Sequence, residues 1–384
     1  MFRFSAKTEI LVTEELTKDI LALNTEQKFG TVGILIDNNV RNIPEIQHML
    51  EKLDSVTPTF PQFINSFEPT TKLVDEVTEY YRQKNIGFFI GIGGGSTLDL
   101  TKAVSVMTKH PGSVEEYHGT GKPIITSTRK MMIPTTAGTG SEVTPGAVLV
   151  NERTEFKRGI NSFPPDFAIL CPSLTTTMPA HITASTGLDA MGHAIESYTA
   201  KNASPITRMY SREAFRLIVN NLNKIFDRPE DLELRKNLLL GANLAGTAIY
   251  NSNTGAAHSM AYPTGIYHKV PHGLAVALIL PEVIRINTEK GCVAYADLYD
   301  VADDRDSSIT NPSKKSALFC DMIKDLPAMR YLGKSLHDYG IDTSNSAFLA
   351  KRGLDLTPAL SNNPVEFDIN NANRVLRNIV LKNR

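Results

Sequence analysis

The sequence predicts two domains, an α/β domain over residues 1–178 and an all-α domain over residues 179–384. The chain of 384 residues is longer than a single hydrophobic core usually supports. Its first half alternates short apolar runs with helical patterns, which is typical of an open, mainly parallel sheet with helices on both faces. After about residue 180 long helical windows dominate, so the boundary is expected near residues 172–179.

Short apolar runs predict the strands of the first domain. The runs TVGILI (31–36) and GFFIGI (87–92) are unbroken, as buried parallel strands are. Shorter β-like runs follow at GAVLV (146–150), KRGI (157–160) and FAIL (167–170). Apolar residues at helical spacing predict the helices of both domains. These helices are expected at 43–53, 70–84, 98–107, 181–200, 206–226, 230–250 and 272–288.

Composition excludes several classes of function. The net charge of −1 argues against nucleic-acid or membrane-surface partners, which usually need a basic excess. No apolar run reaches the roughly 18–20 residues of a membrane span, and the first residues have no signal-peptide core. Three distant cysteines, Cys171, Cys292 and Cys320, indicate reduced thiols. We therefore expect a cytoplasmic protein without nucleic-acid or membrane partners.

Four side chains in the second half could form a metal site. Asp189 and His193 are four apart in GLDAMGHAIES, a segment that favours helix, so both would lie on one face. His258 lies in TGAAHSMAYP, and His272 opens PHGLAVALILP. One carboxylate and three imidazoles complete a shell for Fe(II), Zn(II), Mn(II), Ni(II) or Co(II). The alternative is a solvated acid near a hydrogen-bonded core histidine.

A glycine-rich turn follows the second predicted strand, in GIGGGSTLDLTK. Gly93, Gly94 and Gly95 would let the backbone approach a ligand closely. Ser96 and the first amides of the next helix could then donate to a phosphate. The alternative is a tight turn that needs glycine only for packing. The usual dinucleotide motif, G-x-G-x-x-G, follows the first strand, so this turn points away from an ordinary Rossmann domain.

A hydroxyl-rich segment and one acid could also contact a ligand. The segment IPTTAGTGSEVTP (133–145) suits contacts to phosphate, ribose or carboxamide groups, or it is a solvated loop. Asp37 ends the first clear strand, where an acid can accept from both hydroxyls of an adenosine ribose. Such an acid would repel a 2′-phosphate and favour NAD over NADP. Otherwise Asp37-Asn38-Asn39 is simply a polar turn.

Together these segments resemble the iron-containing (group III) alcohol dehydrogenase family. The stretches GGGSTLDLTK, PTTAGTGSEVT, TGLDAMGHAIES and GAAHSMAYPTGIYHKVPHGLAVALILP occur in order with the family's spacing. The resemblance runs from about residue 30 to the end. It implies an N-terminal α/β dinucleotide-binding domain and a helical C-terminal domain, the fold also seen in dehydroquinate synthases. It further implies NAD, one Fe2+ or Zn2+ ion, and a homodimer or larger homo-oligomer.

The resemblance also implies roles for individual residues. The metal ligands would be Asp189, His193, His258 and His272. The NAD pyrophosphate would lie on the glycine turn at Gly94, Gly95 and Ser96, with Gly93 also among the cofactor-binding residues. The nicotinamide half would contact Thr135, Thr136, Thr139 and Ser141. Asp99 would support the glycine turn, and Lys157 would lie near a ribose.

One position departs from the family pattern. Many members carry a histidine four residues after the third ligand, assigned to proton relay, whereas this chain has Tyr262. A phenol is a poorer base near neutrality than an imidazole. His268, four residues before a ligand, could substitute. The alternative is that Tyr262 packs in the pocket wall and His268 lies on the surface.

The predicted reaction is hydride transfer between a primary alcohol and NAD, with the metal acidifying the alcohol. A dehydroquinate synthase-like lyase and an inactive NAD-binding protein are the alternatives. Basic residues suggest an anionic substrate: His268, Lys269, Arg158, Arg208 and Arg212. A sugar acid oxidised at a terminal primary alcohol fits. Within the family, this resembles the 3-deoxy-D-manno-octulosonate 8-oxidase type, a resemblance that would imply carbohydrate and lipopolysaccharide biosynthesis.

Overall fold

A computed structural model of the chain describes residues 1–65, 68–119, 121–154 and 156–382. The described residues divide into two compact units. The helical unit comprises Met1–Ser5, Ala137–Thr139 and Met178–Arg384, and the sheet unit comprises Ala6–Thr136 and Gly140–Thr177. Two short segments from the first half of the chain thus belong to the helical unit. The predicted single boundary after residue 178 did not include them in that unit.

The sheet unit is built on parallel strands. Its strands are β1 Glu9–Val12, β2 Val32–Asp37, β3 Thr59–Ile64, β4 Phe88–Gly93, β5 Arg129–Pro134, β6 Gly146–Asn151, β7 Phe156–Asn161 and β8 Phe167–Leu170. Six of them form one sheet in the order β1-β8-β5-β4-β2-β3, and every pair is parallel. The prediction of an open parallel sheet is therefore confirmed.

The runs at 146–150 and 157–160 do not join the parallel sheet. They form β6 and β7, which pair with each other as a separate antiparallel hairpin. The reason is the short connection between them, because a parallel crossover needs about a dozen residues or more. The sequence pattern predicted strands at both places but not this pairing.

Helices cover both faces of the parallel sheet. They are α1 Leu16–Gln27, α2 Pro44–Asp54, α3 Thr71–Arg82 and α4 Gly95–Met107. Because strand side chains alternate, Ile34 and Ile36 of β2 pack in one buried cluster with residues of α1 and α2. Leu35 points the other way and packs in a second cluster with α3 and α4.

The helical unit consists, in the part of the chain described, of ten α-helices with short 3-10 turns. They are α5 Ala180–Thr199, α6 Pro205–Leu222, α7 Leu232–Ser252, α8 Ala256–His268, α9 His272–Glu289, α10 Tyr295–Tyr299, α11 Pro312–Lys324, α12 Ser346–Gly353, α13 Thr357–Asn362 and α14 Ile369–Lys382. Helix α5 is central, and residues from Thr183 onward are almost all buried. No helix among the described residues is long and apolar enough to cross a membrane.

Candidate active site

Three helices of the helical unit bring the predicted metal ligands together. Helix α5 carries Asp189 and His193, α8 carries His258 near its start, and α9 begins at His272. A glycine allows α9 to approach α5, because a Cβ at Gly273 would lie 2.4 Å from the Ser185 carbonyl oxygen. The local sequence therefore sets the spacing between α5 and the first turn of α9.

Three of the four predicted ligands converge. Asp189, His258 and His272 each offer one ligand atom, and these atoms all lie within 4.8 Å of one another. The Oδ1 atom of Asp189 is 3.5 Å from Nε2 of His258 and 3.8 Å from Nε2 of His272. His193 is not part of this group, but its ring stacks on that of His258 with centroids 4.4 Å apart.

The buried polar atoms of this cluster fit a bound cation. Oδ1 of Asp189, Nδ1 of His193 and Nε2 of His258 are buried and have no hydrogen-bond partner. Buried polar atoms in proteins are nearly always hydrogen-bonded, so three such atoms within one cluster need an explanation. A carboxylate with imidazoles suits a divalent transition metal, which would satisfy all three atoms.

Burial and charge act on the cluster in opposite directions. Burial lowers the pKa of His193 to about 4, which keeps its imidazole neutral and able to bind a metal. Burial would also lower the pKa of His258, but the carboxylates of Glu196 and Asp189 raise it to about 9. Burial opposes ionisation of Asp189, yet the neighbouring imidazoles, His193 first, hold its pKa below the usual range. Asp189 therefore stays ionised.

A further carboxylate, which the sequence reasoning missed, contacts the cluster. Oε2 of Glu196 accepts a hydrogen bond from Nδ1 of His258 at 2.5 Å. Glu196 follows His193 by three residues on α5, so helical spacing places both on one side. The three-residue spacing was the only signal in the sequence, and the same spacing is found for many exposed glutamates on helices. The contact between Glu196 and His258 joins two helices, so the sequence alone does not reveal it.

The structure separates the two proton-relay candidates. Tyr262 lies one helical turn after His258, and its ring centroid is 5.4 Å from that of His272. His268 ends α8, ten residues after His258 and thus about 15 Å along the helix axis. Its Nδ1 is 3.0 Å from the backbone oxygen of Tyr339. Tyr262 therefore lies beside a proposed metal ligand, whereas His268 lies at the far end of α8 from His258.

The sheet unit has a topological switch point at the predicted cofactor residues. In the sheet, β2 and β4 are neighbours, while β3 lies on one side of them and β5 on the other. Open α/β sheets bind ligands at the carboxyl ends of such strands. Asp37 ends β2 and Gly93 ends β4, and a Cβ at Gly93 would lie 2.9 Å from Cβ of Asp37. Glycine is needed there for packing, and the carboxylate lies beside the turn.

The hydroxyl-rich loop adjoins the glycine turn within the sheet unit. The backbone N–H of Thr135 donates to the carbonyl oxygen of Gly93 at 3.0 Å. The side chain of Thr136 is 3.5 Å from the position of a Cβ on Gly94. Gly95 begins α4, with Ser96 in its first turn. Thr139 belongs to the helical unit.

Three of the predicted cofactor residues make contacts within the protein. The buried hydroxyl of Ser141 donates to Oδ1 of Asp99 at 2.6 Å, and the N–H of Val148 donates to Oδ2 at 3.0 Å. Asp99 thus holds the hydroxyl-rich segment at Ser141 and strand β6 at Val148. Nζ of Lys157 lies 2.6 Å from Oε1 of Glu68 in an ion pair. These contacts give Asp99 and Ser141 a structural role.

The basic residues that suggested an anionic substrate are dispersed. The guanidinium carbon of Arg208 lies 5.7 Å from the ring centroid of Tyr198, near the end of α5. Tyr198 is nine residues from Asp189, about 13 Å along the axis. Arg208 and Arg212 are exposed. The expectation that they line the site near the metal cluster is therefore not supported.

Comparison with known proteins identifies the family. Residues 8–172 match the family model described as iron-containing alcohol dehydrogenase. Residues 183–380 match the C-terminal model of the Fe-containing alcohol dehydrogenase family. The chain belongs to the iron-containing alcohol dehydrogenase family. Both predicted parts of the fold, the α/β part and the helical part, are therefore confirmed.

Individual relatives agree with this assignment. The chain is 32% identical over 306 residues to long-chain-alcohol dehydrogenase 1 of Geobacillus thermodenitrificans, covering 78% of this chain and 76% of the relative. The crystal structure of a 1,3-propanediol oxidoreductase superposes with a TM-score of 0.91 at 25% identity, covering 99% and 100% of the chains. Sulfoacetaldehyde reductase from Bifidobacterium kashiwanohense, solved with NAD+, gives 0.89 at 27% identity and 99% coverage of both.

The family assignment confirms the predicted enzyme class. The protein is an NAD-dependent alcohol dehydrogenase, an oxidoreductase. Membership implies a nicotinamide cofactor and a divalent metal, and the Asp189 cluster offers a site for the metal. Neither the lyase nor the inactive binder is favoured by these relatives.

Proposed function

We propose that the enzyme interconverts small primary alcohols and aldehydes with NAD, using one divalent ion held by Asp189, His193, His258 and His272. The three buried, unpartnered polar atoms of this cluster carry the proposal. When bound, the ion supplies Lewis acidity toward the substrate oxygen, and the nicotinamide accepts or donates the hydride. Fe2+ and Zn2+ both bind carboxylate and imidazole ligands. Either ion would serve, because the nicotinamide carries the redox change and the metal keeps its oxidation state.

Exposure indicates the side from which substrate reaches the cluster. The side chains of Asp189 and His258 are 4% and 3% exposed, whereas that of His272 is 25% exposed. Tyr262 lies beside His272 on this more open side. We assign Tyr262 the exchange of a proton with the substrate hydroxyl, because its ring lies 5.4 Å from that of His272, the more exposed ligand.

The cofactor site is proposed at the carboxyl ends of β2 and β4. The turn of Gly93, Gly94, Gly95 and Ser96 would receive the pyrophosphate. Thr135 and Thr136 adjoin this turn and are the hydroxyls that we assign to the cofactor. Lys157 is proposed near a ribose only through the family resemblance, since its ammonium pairs with Glu68.

Asp37 should select NAD over NADP. Its Oδ1 accepts from the backbone and side chain of Asn39, so the carboxylate is held in place beside Gly93. Repulsion of a 2′-phosphate by this charge is worth about 1–4 kcal/mol. Asp37→Ser should therefore lower the ratio of kcat/KM for NAD to that for NADP by roughly 10-fold or more. Steady-state kinetics with both cofactors measure this ratio, and an unchanged ratio would leave Asp37 as a polar turn residue.

The substrate is proposed at the level of a primary alcohol. The sugar-acid candidate, 3-deoxy-D-manno-octulosonate, and a place in lipopolysaccharide biosynthesis depended on clustered basic residues. Lys269, exposed just after α8, stays available for such a substrate, but Arg208 and Arg212 do not lie near the metal cluster. We therefore rank short alkanols and diols first and keep the sugar acid as the narrower candidate, in a cytoplasmic homodimer or larger oligomer.

A substrate panel tests the proposed function. The enzyme loaded with Fe2+ or Zn2+ should form NADH, followed at 340 nm, with at least one primary alcohol among alkanols, diols and sugar acids. Preference for alkanols would support the ranking, and preference for the sugar acid would reverse it. If none of the three substrate classes gave NADH, although metal and NAD were bound, the result would contradict the proposal.

A further inference from the structure

We propose that Glu196 is the positioning residue of the metal centre, which orients His258 and fixes its tautomer. This inference rests on the metal site proposed above. Glu196 would not contact the metal or the substrate; it would act through His258. This role is supported by the contacts of the Glu196 carboxylate with His258, Gly255 and Ala257, and by the contact of His258 with Asp189.

The first contact sets the tautomer of His258. Its Nδ1 is 2.5 Å from Oε2 of Glu196, a carboxylate oxygen that can only accept, so the proton lies on Nδ1. To bind a metal the ring must be neutral, and a single proton held on Nδ1 would leave the lone pair on Nε2, the atom 3.5 Å from Oδ1 of Asp189. Metal-binding histidines commonly donate their second ring nitrogen to a carboxylate in this way, which fixes the ring orientation and raises its basicity.

The other contacts fix the start of α8. Oε2 of Glu196 accepts from the backbone N–H of Gly255 at 2.9 Å, and Oε1 accepts from that of Ala257 at 2.6 Å. Helix α8 begins at Ala256, and its N-cap residue is Gly255, which has no side chain to accept from the first amides. A carboxylate from α5 thus serves as the acceptor for the first amides of α8. His258, in the first turn, is thereby held relative to Asp189 on α5.

Gly255 lets the carboxylate approach this closely. A Cβ at position 255 would lie 3.0 Å from Oε1 and 3.2 Å from Cδ of Glu196, closer than ordinary contact. Gly255→Ala should therefore displace the carboxylate slightly while keeping its charge. It offers a milder change than replacing Glu196 itself.

Cobalt titration of the metal-depleted full-length enzyme tests the role of Glu196. Binding of Co2+ is followed by its visible absorption, which reports both the dissociation constant and the coordination geometry. Glu196→Gln should raise the Kd about 10–100-fold and change the spectrum, as losses of such supporting partners do. Gly255→Ala should raise the Kd by a smaller factor.

Glu282→Gln is the matched control. Glu282 is 6% exposed, against 5% for Glu196, and its carboxylate contacts Arg285 and Asn378. Its replacement should leave the Kd and the spectrum unchanged, even if the variant melts at a lower temperature. A purely structural Glu196 would behave in the same way.

The outcomes separate this inference from the metal site itself. Failure of the wild-type enzyme to bind Co2+ would refute the metal site and the inference together. Wild-type binding, with an unchanged Kd and spectrum in both Glu196→Gln and Gly255→Ala, would refute the inference alone. If Glu196→Gln does not fold, the titration of Gly255→Ala decides between the two results.

Discussion

Asp189→Asn should lower kcat/KM for alcohol oxidation by at least about 1,000-fold and remove most of the bound metal. Asp189 provides the negative charge of the proposed ligand set, and its side chain is only 4% exposed, so water cannot replace it. The metal contributes several kcal/mol of stabilisation to the developing charge, and about 1.4 kcal/mol corresponds to tenfold in rate. NADH formation and metal content per chain measure the two losses.

Asp297→Asn is a suitable comparison for Asp189→Asn. Asp297 also lies in the helical unit and accepts a hydrogen bond from the hydroxyl of Tyr198 at 2.7 Å. It contacts none of the proposed ligands, so its variant should keep metal content and activity. Full metal content in Asp189→Asn, or equal losses in both variants, would contradict the assignment of Asp189.

Gly273→Ala should disrupt the metal centre although alanine favours helix more than glycine does. The added Cβ would lie 2.4 Å from the carbonyl oxygen of Ser185 and 3.3 Å from Cβ of Asp189. The first turn of α9 must therefore move away from α5, carrying His272 from its place 3.8 Å from the Asp189 oxygen. We expect a loss of about 1–3 kcal/mol in the free energy of unfolding. We also expect roughly 100-fold lower kcat/KM.

Gly265→Ala, in the same helical unit, should change the free energy of unfolding in the opposite direction. The nearest atom to its added Cβ is the carbonyl oxygen of Val270 at 3.4 Å, an ordinary contact. Gly265 lies inside α8, so alanine should raise the free energy of unfolding by about 0.5–1 kcal/mol. Chemical denaturation of both variants checks these signs. Equal stability of the two variants would show that α9 has room to relax at Gly273.

The elements that the sequence predicted best are the buried ones with unbroken patterns. β2 and β4 are central strands without interruption, and their predicted bounds differ from the structure by one residue. β3 escaped prediction because Pro61 lies within it, which an edge strand tolerates. α8 escaped because Pro263 and Gly265 interrupt its helical pattern, although the helix continues through both. Here tertiary packing outweighs local propensity.

The sequence predicted which residues form the candidate site better than it predicted the contacts between them. The spacing of Asp189 and His193 predicts a shared helix face, and the fold adds His258 and His272. The sequence does not show that His193 lies stacked on His258 rather than within the converging group. Nor does it show that Glu196 contacts His258, because that contact joins two helices. Residue chemistry indicated the ligands, and only packing determines their mutual distances.

The most direct test of the central claim is reconstitution of the metal-depleted enzyme with Fe2+ or Zn2+. The rate of NADH formation from a primary alcohol is measured against the equivalents of metal added. We predict a rate near zero without metal that rises in proportion to binding and stops rising at one equivalent per chain. A rate that does not change when the metal is removed would contradict the account.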